Sequence, residues 1–205
     1  MTISKRSSLI ALTVLLAALG TTSAQAGDTG WYVGANVGVS NYSALIADSE
    51  NGLPGIPFDN SNSATGWSAL GGYQLISWLG LEFSYFDMGN ASSRIPGLVG
   101  TVNYKLHGES LDVVLSSSLQ GWGIFGKVGL TAANVEETLT YNPDTTARST
   151  ILDFGAGISY GMQNGWGLRL GFTQYHNADD KNRYTNSVAG RANVNFIYLG
   201  AVRHF

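Results

Sequence analysis

Apolar and polar positions alternate with period two along most of the chain beyond residue 30. Trp31, Val33, Ala35, Val37 and Val39 form one row, and Tyr32, Gly34, Asn36, Gly38 and Ser40 the other. Leu79, Leu81, Phe83 and Tyr85 oppose Gly80, Glu82, Ser84 and Phe86. Leu152, Phe154, Ala156, Ile158 and Tyr160 oppose Asp153, Gly155, Gly157, Ser159 and Gly161, and Trp166, Leu168, Leu170 and Phe172 oppose Gly167, Arg169, Gly171 and Thr173. Period two is the signature of a strand whose faces meet different surroundings. The pattern predicts eight strands, at 31–40, 66–76, 79–87, 104–116, 122–132, 149–162, 166–175 and 188–205. Each has about the 9–11 residues that a tilted membrane strand needs, or slightly more.

The connections alternate in length. Ile76-Ser77-Trp78, Ser117 to Gly121 and Gln163-Asn164-Gly165 read as tight turns. Asn41 to Thr65, Met88 to Asn103, Ala133 to Arg148 and His176 to Ser187 read as long connections, and Pro54, Pro57, Pro96 and Pro143 all fall in them. A proline there removes no N–H from a ladder. Trp31, Trp78, Trp122 and Trp166 recur at gaps of 47, 44 and 44, each opening an apolar run. The spacing marks one repeated two-strand unit. It also places the four indoles at one strand end, as an interfacial aromatic girdle requires.

Alternation alone does not say which row faces out. A water-soluble barrel would turn the apolar row inward and carry charged residues outside. Here the polar row is mostly Gly, Ser and Asn, which suit a crowded interior, so the apolar row is expected to face lipid. Closure follows, because an open sheet edge in hydrocarbon leaves backbone groups unpaired at several kcal/mol each. The expected fold is all-β: an eight-stranded antiparallel up-and-down transmembrane barrel over 27–205, preceded by a cleavable signal peptide over 1–26. Lys5 and Arg6 supply the positive start, Leu9 to Gly20 the apolar run and Ala24-Gln25-Ala26 the cleavage pattern. That run is short for a helical span of about 20 residues.

Composition narrows the function. Charged residues are 12% of the 205, net charge is -3, and there are 27 Gly and no Cys. Loss of the first 26 residues removes two positive charges and leaves 9 basic against 14 acidic, a net charge of -5. No basic excess exists to bind nucleic acid, and no thiolate is available for a disulfide, a metal or catalysis. High apolar content with low net charge excludes disorder. Phe205 ends the chain on the same row as Ile197, Leu199 and Ala201. It resembles the terminal aromatic by which outer-membrane barrels are recognised for assembly, with Arg203 where a second aromatic often stands.

Short motifs carry a family resemblance. Gly72-Tyr73-Gln74, Gly80-Leu81-Glu82-Phe83 and Tyr85 are similar to the second hairpin of the OmpA transmembrane domain, and Tyr104-Lys105, Gly108 and Leu111 continue it. Phe154-Gly155-Ala156-Gly157-Ile158-Ser159-Tyr160 and Arg169-Leu170 resemble its sixth and seventh strands. The resemblance implies an eight-stranded barrel in the Gram-negative outer membrane, here expected to end at strand eight without the peptidoglycan-binding domain that some members add. It also implies interior salt bridges that exchange partners in gating. Glu82 and Arg169 stand at matching positions, whereas Val114 replaces a Lys and Ser159 a Glu.

A lumen of eight strands is filled by side chains, so charges in it must pair. Glu82 and Arg169, on the third and seventh predicted strands, are expected to meet across it. Asp112 and Lys127, whose numbers sum to 239 about a turn near 117–121, are expected to stand roughly opposite each other beside them. Two acids and two bases would form a neutral plug. Catalytic signals are weak. His107 near Glu109 and Ser110, His176 before Asp179-Asp180, and His204 form no recognisable constellation, and Ala178 stands where a lipid A deacylase has Ser. Glu136-Glu137 and Asp179-Asp180 read as solvated acidic pairs. No catalytic, cofactor or metal residue is assigned, and no enzyme is expected.

The expected role is structural or surface-interacting, in adhesion or envelope integrity, through long extracellular loops. The alternatives are a narrow passive porin-like channel and, more weakly, a lipid-modifying enzyme. Expected partners are outer-membrane lipid and lipopolysaccharide, the barrel assembly machinery and a host or cell-surface ligand, with the protein itself a monomer.

Overall fold

The computed structural model describes residues 29–43, 59–94, 101–139, 142–178 and 193–205. The expected signal peptide lies outside them. Among the described residues nine strands form one sheet: β1 (Gly30–Ser43), β2 (Asp59–Ser61), β3 (Ser63–Ile76), β4 (Leu79–Arg94), β5 (Thr101–Leu119), β6 (Trp122–Leu139), β7 (Asn142–Gly161), β8 (Trp166–His176) and β9 (Asn193–His204). The order β2-β4-β3-β1-β9-β8-β7-β6-β5 closes through a further β4–β5 pairing. The short β2 continues the β3–β4 ladder beyond an irregularity, pairing Asp59 to Ser61 with Arg94 to Ser92. The fold is therefore a closed eight-stranded antiparallel barrel, and β4 and β8 face each other across it.

The apolar row faces outward. Val37, Val39, Phe83, Leu111, Ile124, Leu130, Leu152, Leu170, Ile197 and Leu199 are all exposed, while Asn36, Ser40, Ser68, Glu82, Asp112 and Asp153 are buried inside. From Trp31 to Val39 the band covers about 26 Å of strand, roughly 20 Å along the axis at a tilt of about 40°. That is close to the hydrocarbon band of an outer membrane.

Several strands run well past this band, β7 reaching 20 residues. Beyond it the alternation inverts. Asn41, Lys105, His107, Asn134, Glu136, Arg148 and Gln174 share the outward row, while Tyr42, Phe86, Met88, Leu106, Val135, Ile151, Tyr175, Val194 and Phe196 pack inside. The same barrel wall passes from lipid to water, and the row that must be apolar changes sides. Strands read from an unbroken apolar-out pattern therefore stop too early.

This corrects the loop assignment. The predicted connection from Ala133 to Arg148 is mostly ladder, with β6 reaching Leu139 and β7 starting at Asn142. Pro143 is accommodated where the pairing shifts between Glu137 and Leu139, so its missing N–H breaks no regular bond. β4 continues to Arg94 and β5 begins at Thr101, which shortens the second connection likewise. The last strand starts at Asn193 among the described residues; the stretch 188–192 predicted to open it lies outside them. The β5–β6 turn is two residues long, with Leu119 paired to Trp122 and positive φ at Gln120 (52°) and Gly121 (87°). Those two left-handed positions match the right-handed twist of a hairpin.

Candidate functional site

One interior level gathers most of the buried charge. Its register runs Glu82 to Asp112, Asp112 to Gly129, and Gly129 to Asp153 across β4, β5, β6 and β7. Period two sends all four positions inward. From the opposite wall Arg169 Nη1 reaches Glu82 Oε2 at 2.7 Å. Lys127 Nζ stands 3.0 Å from Asp112 Oδ2 and 3.8 Å from Glu82 Oε1. All four residues expected in the interior thus come together.

The register differs from the expected one. Paired positions of β5 and β6 sum to 241, so Asp112 faces Gly129 and Lys127 faces Val114. Asp112 and Lys127 are diagonal neighbours on one face, two positions out from the predicted pairing. The cause is the turn: a two-residue Gln120-Gly121 loop pairs Leu119 with Trp122, whereas the longer turn read from sequence centred the hairpin one residue earlier. Both registers keep the same face inward, because they differ by two.

The plug is not neutral by its ion pairs. Asp153 is a third buried acid, which the sequence placed on the inward row but not in the network. Its Oδ2 accepts a hydrogen bond from Thr131 Oγ1 at 2.5 Å. Three acids therefore share two bases. The signal available was its place on the polar row facing Gly129, which only the β6–β7 register reveals.

Neutral groups complete the layer. Tyr32 Oη donates to Glu82 Oε2 at 3.1 Å, and the Arg169 guanidinium lies over the Tyr32 and Phe125 rings at 5.1 and 5.3 Å. Ser110 Oγ donates to Asp112 Oδ2 at 3.1 Å and lies 2.8 Å from Ser84 Oγ. Stacking and hydrogen bonding together hold the guanidinium plane in place. Val114 is buried beside Lys127, so a cation absent at 114 is supplied from the facing strand. Ser159 pairs with Arg169 and brings it no second carboxylate.

Above this layer lies the apolar cluster that includes Phe86, Met88, Leu106, Tyr175 and Phe196, with the Phe86 and Tyr175 rings 4.6 Å apart. Below it Tyr32, Leu70 and Val202 form a second apolar cluster. The expectation of a small, polar inner row is thus met only in part even within the apolar band, where Tyr32, Leu70, Phe125, Tyr198 and Val202 are large inward residues. The large inner residues beyond it belong to the water-exposed part of the barrel.

Trp31, Trp78, Trp122 and Trp166 are all exposed at the short-turn end. Trp31 packs edge-on to Tyr73 and Trp122 against Tyr160, both at 5.0 Å, and the Arg203 guanidinium lies over Trp166. Arg203 also donates to the Asn164 carbonyl. Trp67 and Tyr85, with ring centroids 5.9 Å apart, form an aromatic pair at the opposite rim that the repeat did not mark. The Phe205 amide donates to the Trp31 carbonyl at 3.0 Å, joining the last residue to the first strand. The histidines are scattered: His107 is 4.0 Å from Glu136 on the outer face, His176 is exposed, and His204 lies against Tyr32. Glu136 is on the outer row of β6, and Asp179-Asp180 lie outside the described residues.

A family model described as the outer membrane protein beta-barrel domain matches residues 11–205. The chain belongs to this family. Its fold is shared with neisserial surface protein A, at TM-score 0.61 and 16% identity over 86% of this chain and 97% of that one. Ail, the attachment invasion locus protein of Yersinia pestis, aligns at TM-score 0.54 and 13% identity over 87% of this chain and 100% of that one. The N-terminal β-barrel domain of Pseudomonas aeruginosa OprF aligns at 0.50 and 14% over 87% and 100%. No curated protein sequence matches the chain. In such barrels generally, the short turns form the periplasmic end and the longer loops the cell surface.

Proposed function

We propose that this protein is a closed outer-membrane barrel that serves envelope integrity and surface contact through its projecting hairpins, and does not conduct. The observation that carries the reading is the continuity of the interior filling. An apolar cluster on Tyr32, Leu70 and Val202, a charged layer on Glu82, Asp112, Lys127, Asp153 and Arg169, and an apolar core on Phe86, Leu106 and Phe196 follow one another along the axis. An ion entering would have to displace packed aromatic rings as well as open ion pairs.

The projecting part supports the surface role. Paired strands carry the ladder of β4 to Arg94 and of β6–β7 to Leu139 and Asn142, well beyond the apolar band. Connections held on a rigid scaffold are where recognition is usually built. Ail, the attachment invasion locus protein of Yersinia pestis, is a relative in fold whose name points the same way for that protein. The tryptophans act in this reading as the periplasmic girdle and Phe205 as the assembly signal, with lipid, lipopolysaccharide and the assembly machinery as partners of a monomer exported by residues 1–26.

Purified protein reconstituted in planar bilayers tests the closed barrel. The expected record has no steady single-channel steps; regular steps would overturn it in favour of a passive channel. Replacing 138–143 by a two-residue turn tests the surface role, with loss of adherence of expressing cells and retained heat-modifiable gel migration expected. Lipid A mass spectra that change with the protein would instead indicate a lipid-modifying enzyme.

A further inference from the structure

Asp112 and Asp153 flank Gly129 at one level of the barrel, and both side chains are fully buried. Gly129 has no side chain to separate them; a Cβ there would collide with Asp112 Oδ1, which lies over the glycine. The two carboxyls thus approach the same glycine from the strands on either side of it. Yet among the described residues neither Asp112 Oδ1 nor Asp153 Oδ1 has a donor. The outer oxygens are engaged: Asp112 Oδ2 by Lys127 Nζ and Ser110 Oγ, Asp153 Oδ2 by Thr131 Oγ1. Two buried carboxylates flanking one glycine in a lipid-surrounded lumen repel, unless a positive charge joins them.

The charge count asks for one such charge. Glu82, Asp112 and Asp153 stand against Lys127 and Arg169, leaving the layer one negative charge in excess. The other titratable groups at this layer among the described residues are Tyr32 from β1, Tyr175 from β8, and Tyr198 and His204 from β9; the tyrosines are neutral donors in their ordinary form, and the His204 ring packs against Tyr32. Two carboxylates and one hydroxyl are too few oxygens for a metal cation, which takes about six. A proton needs only the two oxygens.

We propose that the Asp112–Asp153 pair is a proton-binding site, in which Asp153 carries the proton and donates it to Asp112 Oδ1 across Gly129. Asp112 remains the ionised partner of Lys127, and Lys127 remains shared with Glu82. Removal of the proton sets a second full charge beside Asp112, draws Lys127 away from Glu82 and loosens the interior layer. The barrel thereby gains a proton-controlled lock distinct from the Glu82–Arg169 pair.

Isotope-edited infrared spectroscopy of the wild-type protein in lipid vesicles, with labelled aspartate, tests the site directly. The expected result near pH 7 is a protonated-carboxyl carbonyl band that is absent from Asp153→Asn. A folded wild-type protein without that band overturns the proposal, as does a band that persists in the variant. Urea unfolding supplies the second readout. A carboxyl that keeps its proton on folding makes stability fall as pH rises. The wild-type midpoint should therefore fall between about pH 5 and about pH 9, a range above ordinary carboxylates and below tyrosine, while Asp153→Asn stays level. A midpoint set by sodium or potassium and indifferent to pH would replace the proton with a bound cation. If Asp153→Asn fails to assemble, the wild-type band alone decides.

Discussion

Arg169 Nη1 and Glu82 Oε2 lie 2.7 Å apart although their strands occupy opposite walls of the barrel. The contact is a strut across the lumen. Arg169→Ala leaves Glu82 buried with only Lys127, 3.8 Å away, as a charged partner. Removing one member of a buried pair costs about 3–5 kcal/mol, to be read as a lowered urea midpoint in vesicles. Unchanged stability together with unchanged bilayer conductance would reject any role for the network.

Gly129→Ala should disturb the same layer without altering a charge. The new methyl meets Asp112 Oδ1 and the Leu111 carbonyl, neither of which can retreat far within the ladder. Overpacking of this kind costs about 1–3 kcal/mol. Thermal unfolding in detergent would show the drop, and a larger effect than at solvent-facing Asn164→Ala is expected.

The switch of solvent along the barrel wall predicts a depth dependence. Leu170, between Ile158 and Leu199 on the outer face, sits in the middle of the apolar band. Leu170→Arg should cost about 2–4 kcal/mol. Four residues on, Gln174 donates to Asn195 at 2.6 Å at the band's outer limit, and Gln174→Arg should cost about 0–1 kcal/mol. Equal costs would show that the band has been placed wrongly.

Phe86 belongs to the part of the interior that resembles a soluble core. It is fully buried and stacks on Tyr175. Phe86→Ala should cost about 3–5 kcal/mol. Protease sensitivity should rise at the projecting hairpins while the transmembrane strands keep their heat-modifiable migration.

The Lys105–Asp87 pair, 3.0 Å apart on the outer face beyond the band, should matter little. Its hydrogen bond to Asp87 raises the Lys105 pKa above the ordinary value. A raised folded-state value means that the stabilisation is complete below the ordinary lysine range, near pH 10.4, and is lost only as pH rises through the higher folded value. Water screens the pair, so Asp87→Asn should cost less than about 1 kcal/mol at pH 7, with a difference that disappears in strong alkali.

Much of the barrel was legible because lipid imposes a stringent rule on every outward residue it touches. Val37, Phe83, Leu111 and Leu170 obey that rule, and Glu82 and Arg169 stood out as charges on the opposite row. Phe86 was harder to place. An aromatic on a polar row looks like an irregularity until the strand is seen to leave the membrane. Asp153 was overlooked for a different reason: its importance lies in what stands two strands away, and no local pattern records that.

The sequence by itself determined strand number, the lipid-facing row and the short-turn end, since these follow from period-two alternation, turn residues and the spacing of four tryptophans. Register and partnership were decided only in three dimensions. A shift of two residues leaves every side chain on its own face, so the hydrophobic pattern cannot detect it. The closed barrel fixes it, and with it the placing of Asp112 and Asp153 on either side of Gly129 and the meeting of Glu82 and Arg169 across the axis.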